Sequence, residues 1–261
     1  MVAAEAGRVS ARRRVLVEAC VDAIDGAMEA EWGGADRIEL CGELLQGGVT
    51  PSHGLIEAVW DQLSIPLFVL VRPRAGDFLY GELECETMLR DIETCASLGC
   101  DGVVLGVLDA EGRVDTARCR PLIAAAGKLG VTFHRAFDLS RDPAQALEDI
   151  VTLGCERILT SGMQASAADG NALIRELVEQ AGDRIVVMPG AGITAQNIAA
   201  LATATGAHEF HASAKHQLPS GMHHRRPLLS DMEGGELCSD VEQIRALVTA
   251  LATTAQNPAG T

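Results

Sequence analysis

An α/β barrel of eight strands, (β/α)8, is the fold this sequence predicts, and three observations predict it. Short apolar runs alternate strictly with helix-length stretches, the pattern of parallel βαβ units. The count of such pairs reaches eight within about 250 residues, the size of one TIM-type barrel in a single domain. Many of the helical stretches end in glycine shortly before the next strand, at Gly33-Gly34, Gly99, Gly130, Gly154, Gly182 and Gly206. Glycine is the residue expected just past a helix C-terminus.

The first two strands repeat each other. Val15 to Cys20 and Arg37 to Cys41 are apolar runs ending in Glu-x-Cys, separated by a helix-length stretch from Asp22 to Trp32. Side chains alternate faces along a strand, so Glu18 shares a face with Cys20, and Glu39 with Cys41. Pro66–Val71 is the third strand, followed by a loop and a helix over Glu82–Leu98. Gly102–Val107 pairs with a helix over Thr116–Leu129, and Val131–Phe137 with one over Pro143–Leu153. Arg157–Thr160 leads to a helix over Ala168–Ala181, and Arg184–Met188 to one over about Thr194–Ala204. Glu209–Ser213 is the eighth strand. The longest irregular segment, Lys215 to Ser239, then precedes a closing helix over Asp240–Leu251. The barrel domain spans 15–254, between a disordered tail at 1–14 and a short one at 255–261. A doubly wound open sheet is the alternative; it requires two edge strands, and no run is guarded by charge or proline as edges are.

Composition narrows the function. A hydrophobic fraction of 48% with 22% charged residues is that of a globular chain with a large core. No uninterrupted run of 18 apolar residues exists, so no membrane span is expected. The four arginines of residues 1–14 precede no secretory h-region. A net charge of −15 repels nucleic acid and anionic lipid. Eight cysteines without a CxxC pair read as reduced and mostly buried thiols, not as a disulfide framework or a zinc ribbon.

In such barrels the C-terminal strand ends line the site. Here they carry Glu18 with Cys20, Glu39 with Cys41, Arg72 with Arg74, His134 with Arg135 and Asp138, Thr160 with Ser161, Gly190 to Gly192, and His211 with Ser213. Charged groups at the ends of apolar strands are costly unless paired or facing a solvated pocket. Glu18, Glu39, His134 and Asp138 are therefore candidates for proton transfer. Arg72, Arg74, Arg135, Ser161, Gly190, Gly192, His211 and Ser213 are candidates for holding an anion. A ring of structural salt bridges, such as Arg72 with Glu39, is the competing reading. Cys20 and Cys41 end neighbouring strands, and thiolates suit a soft ion such as Cu(I); Glu18 and Glu39 beside them oppose thiolate formation.

At these residues the chain resembles the CutC copper-homeostasis family. The resemblance rests on Glu18–Asp22, Gly33–Cys41, Gly47–Ser52, Arg72–Phe78, Thr132–Asp138, Leu159–Gly162, Met188–Ile193 and Glu209–Ser213, in family order. It implies a TIM-type barrel, a cytoplasmic location, self-association as a homo-oligomer, and copper handling with Cu(I) held by the cysteines that match Cys20 and Cys41. Ala191 stands where the family often has glycine, and the loop from Lys215 to Arg226 diverges. Two readings follow. One is a Cu(I)-binding protein of copper homeostasis. The other is a barrel enzyme acting on a small anionic metabolite, phosphorylated or carbonyl-bearing, with Arg72, Arg74 and the Gly190 loop binding it and Glu18, Glu39 or His134 moving protons.

Overall fold

The computed structural model describes residues 14–256, apart from 225, 227, 229–234 and 236. Of the expected tails at 1–14 and 255–261, residues 1–13 and 257–261 lie outside the described residues, and 255 and 256 belong to the last helix. Eight parallel strands form a nearly closed barrel: β1 (Leu16–Val21), β2 (Arg37–Leu40), β3 (Leu67–Leu70), β4 (Gly102–Leu105), β5 (Gly130–Phe133), β6 (Arg157–Thr160), β7 (Val186–Pro189) and β8 (Glu209–Ala212). Their hydrogen-bonded order runs β7-β6-β5-β4-β3-β2-β1-β8. β7 and β8 lie side by side, but no ladder joins them among the described residues.

The helices packed around the strands are α1 (Ile24–Gly33), α2 (His53–Trp60), α3 (Glu82–Leu98), α4 (Thr116–Ala126), α5 (Pro143–Leu153), α6 (Asn171–Ala181), α7 (Ile198–Thr205) and α8 (Val241–Gln256). α3 and α5 have the bounds expected from sequence. Helix α2, for which the pattern offered no bounds, starts where Ser52 Oγ accepts the Leu55 amide. Gly34, Gly99, Gly154 and Gly206 adopt left-handed conformations past their helices. Gly130 does not: it opens β5, and Gly127 ends α4 instead.

α4 stops at Ala126 and not Leu129, and α6 starts at Asn171 and not Ala168; three further differences have local reasons. The fifth strand stops at Phe133 and not Phe137, because the His134 ring accepts the Ala136 amide and a 3₁₀ turn over Arg135–Leu139 takes the chain aside. α7 begins at Ile198 and not Thr194, because the Asn197 side chain takes the Thr194 amide and closes a turn first. The segment after β8 is irregular only in part. Its ends pair antiparallel as β9 (Lys215–Gln217) and β10 (Leu237–Ser239).

Apolar side chains pack in two places. The larger core lies between strands and helices, with Ile38, Leu40, Val69, Phe133, Ile158 and Phe210 facing Met88, Ile92, Leu147, Ile174 and Ile244. A smaller cluster of Cys20, Cys41, Phe68, Leu70 and Val104 lies inside the barrel. Room for the Phe68 ring comes from two glycines: a Cβ on Gly102 would meet it at 2.2 Å and one on Gly130 at 2.8 Å. No helix among the described residues is long and apolar enough to cross a membrane.

Candidate functional site

Below the mouth of the barrel, four charged side chains neutralise each other in its interior. Register sets Glu18 of β1 beside Arg37 of β2. Arg37 donates through Nε to Glu18 at 2.5 Å and through Nη2 to Glu209 at 2.8 Å. Arg157 donates from β6 to the same Glu209 oxygen, also at 2.8 Å, and to Thr132 Oγ1. Both guanidiniums stack over the Phe68 ring, 5.1 and 5.2 Å from its centroid. Burial alone would raise the pKa of Glu18, but Arg37 and His211 outweigh it and hold the carboxylate down at about 2.

Glu18 therefore accepts only, so His211 Nδ1 carries the proton it shares with Glu18 Oε1 at 2.8 Å. This fixes the ring and leaves its Nε2 unengaged by any described residue. Burial disfavours the imidazolium, yet the charge on Glu39 and the bond to Glu18 raise its pKa above the ordinary value.

Above this layer opens a cavity of about 440 Å³. Cys20, Glu39 and His211 border it on one side, Arg72, Phe78, His134 and Arg135 on another, and Leu159, Gly192, Ile193, Ser213 and Lys215 complete it. The donor atoms of Cys20, Glu39 and His211 lie within 4.8 Å of one another, close enough to hold one metal ion. Cys20 Sγ donates toward Glu39 Oε1 at 3.5 Å and lies 3.9 Å from Cys41 Sγ. The Cys41 contact, burial and the Glu39 charge together push the Cys20 thiol well above its usual pKa. Burial also raises Glu39, against the pull of His211.

His134 stands apart from this trio. Its Nδ1 accepts the Ala136 amide at 3.2 Å, and its ring packs 4.8 Å from that of Phe78. Burial and the nearby Arg72 charge depress its pKa to about 3, so the ring is neutral with its hydrogen on Nε2. Gly106 makes space for it, since a Cβ there would sit 2.7 Å from the ring.

The CutC family model matches residues 15–216. The chain belongs to the CutC family. A family protein CutC from Xanthomonas campestris is 53% identical over 237 residues, covering 91% of this chain and 99% of that one. A human copper homeostasis protein cutC homolog is 47% identical over 247 residues, 92% of this chain and 90% of that one. The crystal structure of a protein described as copper homeostasis protein CutC from Streptococcus agalactiae superposes with a TM-score of 0.74 at 33% identity. It covers 76% of this chain and 98% of its own.

Of the residues singled out from sequence, Cys20, Glu39, Arg72, His134, Arg135, Gly192, His211 and Ser213 border the CutC cavity. The others lie elsewhere. Glu18 sits one layer below, behind His211. Cys41 is wholly buried against Cys20, with its thiol toward the Val21 carbonyl at 3.5 Å. Arg74 turns outward to Glu84 and Asp77 and covers Tyr80. Asp138 is saturated by Arg135, Thr160, both Ser161 donors and the Met163 amide, and with Ser161 it ties two loops together. Gly190 gives room to Leu159, whose Cδ1 a Cβ would meet at 2.5 Å. Ala191 carries a left-handed φ of 72°, a strained conformation for a residue with a Cβ.

The pairing of Arg72 with Glu39 does not form. Arg72 donates to the carbonyls of Gln46, Gly47, Gly48 and Gly76, because the loop after β2 folds over its guanidinium first. Sequence reasoning missed Arg37, Arg157 and Glu209. Their signal was present: a charged residue opening a strand that is buried on both faces, in phase with another inward residue such as Glu39.

Proposed function

We propose that this CutC protein binds one Cu(I) ion as cargo at the mouth of its barrel, in the service of copper homeostasis. The observation that carries the reading is the convergence of Cys20, Glu39 and His211 within 4.8 Å, with the Cys41 sulfur 3.9 Å from that of Cys20. Two sulfurs and an imidazole form a soft donor set, which favours Cu(I) over hard cations. The Glu18–His211 bond supports it further. A metal-binding imidazole commonly gives its other N–H to a carboxylate, which orients the ring and raises its basicity. Cys20 is the accessible sulfur and Cys41 the reserve behind it. Cu(I) displaces the thiol protons on binding, so affinity falls as pH falls.

All eight cysteines are free, which supports a reducing, cytoplasmic setting. The test is titration of the reduced chain with Cu(I) against a competing chelator, with Zn(II) in a parallel series. The reading requires one tight Cu(I) site per chain that disappears in the Cys20→Ser/Cys41→Ser double variant. Undiminished affinity in that variant, or a site that takes Zn(II) in preference, sinks it.

A further inference from the structure

A metal ion accounts for one side of the cavity only. At about 440 Å³ the space is far larger than an ion needs and falls in the range of sites for small organic ligands. Another part of the cavity lining holds a buried cation without a counter-charge. The Arg72 guanidinium is almost wholly buried, and no carboxylate among the described residues lies within ion-pair distance of it. Its four hydrogen bonds all go to neutral backbone carbonyls, and its Nε has no acceptor in hydrogen-bond geometry; the Tyr80 hydroxyl, also buried without a partner, lies beside the guanidinium. In a chain with 36 acidic and 21 basic residues this is conspicuous, because a buried charge is costly unless it is paired.

A second unsatisfied donor stands beside it. His134 Nε2 is buried with no partner, while the bond at Nδ1 forces the ring hydrogen onto Nε2. The Phe78 ring lies between the two groups, 4.9 Å from the Arg72 guanidinium carbon and 4.8 Å from the His134 centroid. Lys215 borders the same cavity and adds a further positive charge with no described ion pair. Buried polar atoms without partners are rare in folded proteins, and each one calls for a water, an ion or a ligand. Here the two are donors, they belong to one wall, and the wall is cationic.

We infer that the Arg72–Phe78–His134 wall is a binding subsite for a small metabolite carrying an oxyanion, either a carboxylate or a phosphate, built from residues other than the Cys20–Glu39–His211 trio. One oxygen pairs with Arg72. A second acceptor, from the same group or from an adjacent carbonyl, takes the hydrogen on His134 Nε2, and Phe78 covers the apolar part. Arg72 Nη1 is engaged by the Gln46, Gly47 and Gly48 carbonyls, whereas Nη2 gives one hydrogen to Gly76, so Nε and the second Nη2 hydrogen are the donors left for the ligand.

The test is calorimetry and thermal shift on the full chain kept metal-free by a copper chelator, which makes the outcome independent of the copper reading. The probes are inorganic phosphate, pyruvate and dihydroxyacetone phosphate, separating a bare phosphate, a carboxylate and a phosphorylated carbonyl. At least one should bind saturably with a Kd below about 1 mM and raise the melting temperature. The decisive variant is His134→Asn, whose side-chain oxygen can still accept the Ala136 amide while the Nε2 donor is lost. It should weaken that probe about tenfold or more with its fold intact. Arg72→Lys, which keeps the charge and removes the guanidinium, should weaken it as well, and Arg74→Ala, outside the cavity, should leave it unchanged. No saturable binding by any probe, or equal affinity in His134→Asn and wild type, overturns the subsite.

Discussion

Replacing Glu209 by Gln is the sharpest probe of the interior charge cluster. One carboxylate oxygen of Glu209 receives both Arg37 Nη2 and Arg157 Nε at 2.8 Å. With Glu18, the cluster holds two negative and two positive charges and sums to zero. In Glu209→Gln the amide oxygen still accepts one bond, but the sum becomes +1 inside a barrel where both guanidiniums are buried. Breaking a buried pair from one side costs ~3–5 kcal/mol, chiefly because the abandoned charge has no solvent. At roughly 2–4 °C per kcal/mol for a domain near this size, the melting temperature should fall by about 6–20 °C. Circular dichroism melts and urea titrations of the metal-free chain measure it. The double variant Arg157→Met/Glu209→Leu is the control: it returns the cluster to a neutral Glu18–Arg37 pair and should recover most of the loss. A Glu209→Gln midpoint within about 2 °C of wild type would refute the reasoning. So would a double variant less stable than the single one.

The remaining predictions concern separate parts of the barrel. His134 has a folded pKa of about 3 against 6.5 for the free side chain, so the unfolded chain binds its proton first. Its contribution to stability is intact above pH 6.5 and is lost as pH falls from 6.5 toward 3. Histidine NMR should show no protonation of this ring between pH 8 and 5, and His134→Asn should flatten the stability profile in that window. Gly102→Ala drives a methyl into the Phe68 ring and should cost ~1–3 kcal/mol in urea unfolding. Gly54→Ala, in helix α2 with nothing within 4 Å, should instead stabilise by about 0.5–1 kcal/mol. Asp138→Ala leaves the Thr160 hydroxyl and the Ser161 and Met163 amides without their acceptor and should cost roughly 1–3 kcal/mol, with Cu(I) affinity unchanged in the chelator competition.

The barrel was legible because its signals are local and repeated. Glu-x-Cys twice in apolar runs, helix-length spacers and closing glycines each report on a few neighbouring residues. Convergence of the strand tips was legible too, since topology alone carries Glu39, Arg72, His134 and His211 to one end. What escaped was the direction a side chain takes after its strand stops. Arg72 and Arg74 share a face by strand parity, yet one is buried under the loop after β2 and the other lies outside on Glu84. Asp138 read as a proton carrier because nothing local reveals that Thr160 and Ser161, more than twenty residues on, surround its carboxylate. Arg37, Arg157 and Glu209 stood at strand starts, where a charge ordinarily means solvent; the apolar run after each hinted otherwise, but it took the neighbouring strands to close the solvent off. The late start of α7 depended on one contact, Asn197 with the Thr194 amide, that propensity does not encode.

The missing rungs between β7 and β8 give the barrel a seam. On one lip lie Ala191, Gly192 and Ile193, on the other His211, Ala212 and Ser213, and both lips front the cavity. A hoop cut at one place changes its girth by bending, without snapping any of its ties. A ligand that touches both lips would add contacts across the cut, so its binding and the stiffness of the hoop would be coupled.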